Sequence, residues 1–181
     1  NISSIGGTTQ YSSSTVPLGH TVTAVNDAPV LTAGTLTAVT ANEDSANSTA
    51  VSLGLSAVTY GPGGGSDEVG QTLTYTVTSI PTFVTIFKAD GTTQVSASST
   101  VTAIELQGLK YKTVANANGT GNLVWTVVDN GGTANGGVDT LTQSLSITIN
   151  AVNDAPVLTA GTLTAVTANE DSANSTAVSL G

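Results

Sequence analysis

The chain has 181 residues, with 12 acids, three lysines, no arginine and a formal net charge of −9. Nothing in it could neutralise a run of phosphates, which excludes nucleic acid and anionic membrane surfaces as partners. Hydrophobic residues reach 39% against 8% charged, and mean hydropathy is positive, so the composition argues for a packed chain and against disorder.

Cysteine is absent, which removes disulfides, thiolate metal sites and a cysteine nucleophile. No stretch approaches the roughly 18 apolar residues of a membrane span, so no membrane insertion is expected in this segment. The chain opens on Asn, without a basic-then-apolar leader, and reads as an excerpt whose signal or anchor lies elsewhere.

Self-comparison organises everything else. Residues 24–54 and 151–181 are identical letter for letter, 31 positions offset by 127. Cores tolerate hydrophobic swaps, so packing alone does not demand such identity. Duplication within a tandem array accounts for it. The chain therefore divides into the C-terminal part of one repeat (1–26), a complete repeat (27–153) and the N-terminal part of the next (154–181).

In chain order, short strands are expected at 35–40 and 49–53, followed by the turn Gly61-Pro62-Gly63-Gly64-Gly65. GPGGGS (61–66) lacks the lysine of a phosphate loop and reads as a flexible turn. Leu73, Tyr75 and Val77 alternate with threonines, the period of a half-buried strand. Further strands are expected at 83–88, 92–96 and 100–106, with Asp90-Gly91 as a hairpin turn between two of them. After Asn118-Gly119, the row Leu123, Trp125, Val127 leads to the turn Asn130-Gly131-Gly132. A last row, Leu145, Ile147, Ile149 and Ala151, closes the repeat. No segment offers a helical period. Seven or more short strands with frequent turns predict an all-β, two-sheet sandwich.

With only 12 carboxylates, their placement is informative. Nearly all fall in turns or linkers, several beside Asn or Gly: Asn26-Asp27, Asn42-Glu43-Asp44, Asp129-Asn130. Calcium takes 6–8 oxygens from carboxylates, amides, carbonyls and water, and a sandwich gathers its loops at two poles. A linker Asp, an Asp from the last loops of one sandwich and a Glu from the next are expected to converge on an ion. Asp and Asn are equally at home in plain turns. Asp90 is read as a turn former, and Glu68 and Glu105 rank below the other candidates.

V-N-D-A-P at 25–29 and 152–156, N-E-D-S at 42–45 and 169–172, DGTTQVSASSTVTAIELQGLKY (90–111) and NGTGNLVWTVVDNGG (118–132) together resemble the cadherin-like tandem repeats of giant bacterial adhesins exported by type I secretion. The resemblance covers essentially the whole chain. It implies Ig-like or cadherin-like Greek-key β-sandwiches strung in tandem, with Ca2+ at the junctions. Glu43 resembles the early glutamate of such a repeat, and Asp67 the acidic loop before a strand. Asp129 resembles the aspartate ending the sixth strand, and Asn26-Asp27 and Asn153-Asp154 resemble the linkers. The mid-repeat Asp-Arg-Glu motif is missing, its nearest counterpart being IELQGLKY with Glu105, so one or two ions per junction are expected. The full candidate ligand set is Asn26, Asp27, Glu43, Asp44, Asp67, Asp129, Asp139, Asn153, Asp154, Glu170 and Asp171.

Catalysis has little to stand on. The one histidine, His20, sits where the aligned residue of the complete repeat is Ile147, and no serine lies in a nucleophile elbow. Trp125 is expected in the core. The reading is thus a non-enzymatic, extracellular, calcium-binding spacer in a large bacterial adhesin linked to cell adhesion and biofilm. Its partners are neighbouring repeats joined through calcium-bridged linkers. The alternative is a subunit of a self-associating extracellular fibre or sheath, through β-strand addition between copies.

Overall fold

The computed structural model describes residues 17–45, 49–162 and 165. The chain divides into one unit of residues 1–151 and another of 152–181. Residues 17–29 of the first unit carry no regular secondary structure, so the strand-like reading around His20 does not hold. Regular structure begins with β1 (Val30–Ala33) and β2 (Val39–Asn42), followed by β3 (Val51–Ser52) and β4 (Thr59–Gly61). Next come β5 (Thr74–Ser79), β6 (Val84–Phe87), β7 (Gln94–Val95) and β8 (Thr100–Val101). A short helix, α1 (Ala103–Gln107), then leads to β9 (Lys110–Thr113), β10 (Gly119–Val128) and β11 (Thr140–Asn150).

These strands make a five-stranded sheet in the order β2-β11-β10-β5-β8, a four-stranded sheet in the order β3-β9-β6-β7, and the pair β1-β4. Every pairing is antiparallel except β2 on β11, where Val39–Asn42 run parallel to Ile147–Asn150. The protein is all-β but for α1 and one 3-10 turn at Ala134–Gly136.

The alternation seen in the sequence becomes burial. Leu123, Trp125 and Val127 of β10 and Leu145, Ile147 and Ile149 of β11 are all within 1–2% of complete burial, as is Val77 of β5. They share one core with Val84 and Ile86 of β6 and Tyr111 of β9, so the two larger sheets bury their inner faces against common residues. Each such aliphatic side chain contributes about 1.5–3 kcal/mol by leaving water. The row ends one residue pair early: Ala151 is exposed, because β11 stops at Asn150.

The expected strand at 100–106 is only half right. Thr100 and Val101 pair with β5, but Thr102 then caps a helix. Its hydroxyl accepts from the Glu105 N–H at 3.2 Å, and Glu105 Oε2 accepts from the Thr102 N–H at 2.9 Å. This reciprocal capping box satisfies two amides that a strand ending here would leave open. Strands β1, β4 and β9 have no counterpart in the sequence reading. β1 and β4 are short and largely exposed, which leaves no apolar alternation to see.

Candidate functional site at the linker pole

β10 and β11 are antiparallel, so the loop joining them lies at the end of the sheet opposite the C-terminal end of β11. At that pole the backbone passes through Asn26 and Asp27. Asn26 is the hub. Its Nδ2 donates to Asp129 Oδ1 at 3.0 Å and to the Val138 carbonyl at 2.7 Å, while its Oδ1 accepts from Gln71 Nε2 at 2.7 Å. The Val138 N–H donates back to the Asn26 carbonyl at 2.9 Å. The Asp27 N–H donates to Glu68 Oε1 at 2.6 Å. Asp129 Oδ1 also accepts from the Gly131 N–H, and Asn130 Oδ1 from the Thr72 N–H.

Two glycine-containing turns make room for this knot. Gly63 has a φ of +131°, and a Cβ there would collide with Glu68 Oε2 and sit 3.1 Å from the Asp27 carbonyl. A Cβ on Gly131 would strike the Asn26 amide. The segment read as a flexible phosphate-loop look-alike is therefore a fitted wall around a carboxylate.

Glu68 is 2% exposed and Asp129 5%. Each uses one carboxylate oxygen; Glu68 Oε2 and Asp129 Oδ2 are buried without a hydrogen-bond partner, and so is Gln71 Oε1. An unsatisfied buried acceptor costs roughly 1–3 kcal/mol, more when charged. Three such oxygens, all on side chains tied to Asn26-Asp27, form a hard, anionic donor set. That chemistry fits a hard cation such as calcium, which also accepts neutral amide oxygens. Among the described residues, no three Asp, Glu or His side chains group closely enough to hold a metal by themselves. Amide or backbone oxygens would have to complete the shell.

The other candidates fall elsewhere. Asp27 takes part through its backbone and its side chain is exposed. Asp67 is exposed, while its neighbour Glu68, ranked lower in the sequence, holds the buried position. Asp139 accepts the Asp129 N–H with its carbonyl and the Thr140 hydroxyl with Oδ1. Glu43 is 6% exposed and lies at the opposite pole, its N–H donating to the Asn150 carbonyl at 2.9 Å. Asp44 beside it is exposed, with a φ of +66°. Ten residue steps of β11 separate the two poles, about 33 Å at strand rise. In the second unit Asn153 and Asp154 are exposed, with Asn153 Nδ2 donating to the Asp154 carbonyl. Glu170 and Asp171 lie outside the described residues.

The poles are thus inverted relative to the expected junction. The sequence reading places the last-loop aspartate beside the following linker and the early glutamate beside the preceding one. In the structure Asp129 joins the linker that precedes its own repeat, and Glu43 joins the end from which the chain leaves. Gln71 was not anticipated. Its only sequence signal is its place four residues after Asp67, in the approach to a strand.

A cleft of about 200 Å³ lies away from this pole, lined by Val58, Tyr60, Tyr75, Ala103, Leu106 and Gln107. Burial pushes the Tyr60 and Tyr75 hydroxyls up, so both are protonated at neutral pH. Gln107 Nε2 donates to the Val58 carbonyl. No acid or histidine lines it to supply acid–base chemistry.

No family model matches the chain, and neither a curated protein nor a solved structure is similar to it.

Proposed function

We propose that this chain is a non-enzymatic, calcium-binding structural repeat with an Ig-like or cadherin-like Greek-key topology, working as an extracellular spacer in a large adhesin. The observation that carries this reading is the set of buried, unpartnered oxygens on Glu68, Asp129 and Gln71 around Asn26. Glu68, Asp129 and Gln71 would hold the ion, with Asn26 and Asp27 bound to them. Calcium would neutralise the two buried carboxylates. The protein's own residues do the rest, because every tie in the knot runs from the linker backbone or Asn26 to a loop of the sandwich. Stabilising the knot stiffens the entry of the chain into the repeat. By the duplication, Asn153 and Asp154 stand in the same position for the repeat that follows. Interdomain motion is the default where interfaces are small, so a fixed entry at each repeat converts a string into a rod.

Extracellular calcium modules bind with Kd near 10⁻⁴–10⁻³ M, on the order of the concentration around them. An ion at ten times its Kd adds about 1.4 kcal/mol to the folded state. Calorimetric titration of the 181-residue chain should give saturable heat, with a Tm that rises with calcium. Glu68→Gln keeps the size and one acceptor but removes the charge, and should abolish most of that rise. No heat and no Tm change up to roughly 10 mM calcium, well above the expected Kd, would end the proposal.

A further inference from the structure

Residues 27–54 contribute only edges. β2 is the outer strand of the five-stranded sheet, β3 the outer strand of the four-stranded sheet, and β1 pairs with β4 alone. The strands that hold two neighbours each (β5, β10 and β11 in one sheet, β6 and β9 in the other) all come from residues 74–150. Removing 27–54 would therefore uncover three strand edges and the slot of Leu53, which is 2% exposed, without cutting any central pairing. Residues 154–181 carry the same sequence, so Val166–Asn169 match β2, Val178–Ser179 match β3 and Leu180 matches Leu53. A chain of these 181 residues holds two identical sets of edge strands and one set of receiving edges.

We propose that residues 154–181 insert into the β4, β9 and β11 edges of a second copy of this chain, in place of its residues 27–54. The partner is this same chain, because its complementarity to those edges is given by identity: every backbone pairing and buried contact made by 27–54 is available to 154–181. The two closed arrangements have equal contacts, so concentration and linker entropy decide between them. One copy donates at its C-terminal side and receives on its sandwich, a head-to-tail contact that propagates into open filaments. The exchange needs no metal, and goes beyond the calcium reading without resting on it.

The cysteine-free chain permits a direct test. Thr40 and Thr148 are register partners between β2 and β11, and Thr40 is exposed. Thr167 is the copy of Thr40. Under mild oxidation with calcium chelated, the full chain carrying Thr148→Cys and Thr167→Cys should form a covalent ladder of oligomers on a non-reducing gel. Thr40→Cys with Thr148→Cys should give a disulfide-bonded monomer, which certifies that the β2 register is intact. Thr142→Cys with Thr167→Cys, out of register, should give no ladder. Adding Thr167→Pro to a chain with Thr148→Cys alone should leave it monomeric by sedimentation, whereas the same chain without proline associates as concentration rises. The proposal is overturned if the Thr148/Thr167 pair yields only monomer, whether reduced or closed within one chain, or if the out-of-register pair ladders equally well. Because the assay runs in chelator, its failure leaves the calcium titration to be judged separately.

Discussion

Single residues do several jobs here that their type alone does not distinguish. Asp90 and Asp129 both precede glycine-bearing turns, yet one is fully exposed and the other buried. The Asp90 carboxylate accepts from the Thr93 hydroxyl and from the N–H groups of Thr92 and Thr93, at 2.6–2.9 Å. Those bonds, the Thr93 hydroxyl foremost, hold its pKa well below the ordinary carboxylate range. A folded value below the unfolded one means the turn is stabilised at pH values above roughly 3.9, the unfolded value. That contribution is lost as pH falls further toward the folded pKa. Asp90→Asn should therefore lower Tm at pH 7, and the gap to the parent should narrow as pH drops below about 4. A gap independent of pH would show that the carboxylate's charge is not what holds the turn. Asp129, by contrast, leaves an oxygen facing no donor, and only its burial sets it apart as a candidate ligand.

At the scale of elements, α1 is the one place where the chain departs from strand. Its N-terminal signal, Thr-x-x-Glu at 102–105, was present in the sequence and was outweighed by the β-branched run before it. A helix of five residues has too few turns to display a period. Glu105 closes the capping box and also accepts from Lys88 Nζ at 2.6 Å. The Lys88 bond, followed by the Thr102 N–H, lowers its pKa. Thr102→Ala should cost about 1 kcal/mol by loss of the cap, read as a shift in the urea midpoint with unchanged slope. A cost near zero would mean that Leu106 and Leu109, packed in the core, hold the turn unaided. The other elements separate by burial. β5, β10 and β11 were legible because each puts alternate residues into the core. β1, β4 and β9 were not: β1 is exposed along its length, β4 is only three residues, and β9 hides behind a Lys-Tyr-Lys pattern that reads as polar.

For the molecule as a whole, one core spans both larger sheets, so residues 27–151 are expected to unfold together. Ile147 is fully buried at the centre of β11, where that strand is held between β10 and β2. Ile147→Ala should cost about 2–5 kcal/mol, and Trp125 fluorescence and far-UV circular dichroism should report the same midpoint for parent and variant. Separate midpoints would mean that the two sheets fold independently.

The amino-acid sequence by itself determined the all-β class, the repeat length, the three longest buried rows and the burial of Trp125. These follow from local alternation and from identity between segments, both of which are one-dimensional. Which acids meet was decided only by the tertiary structure. β10 returns antiparallel to β11, carrying Asp129 back to the linker that opens the repeat, and β2 runs parallel to β11, carrying Glu43 to the end where the chain departs. Strand direction is a pairing between segments about 100 residues apart, and no local period encodes it. The choice of Glu68 over Asp67 turns on side-chain direction in a loop packed under Asp27, a contact that exists only once the sandwich has closed.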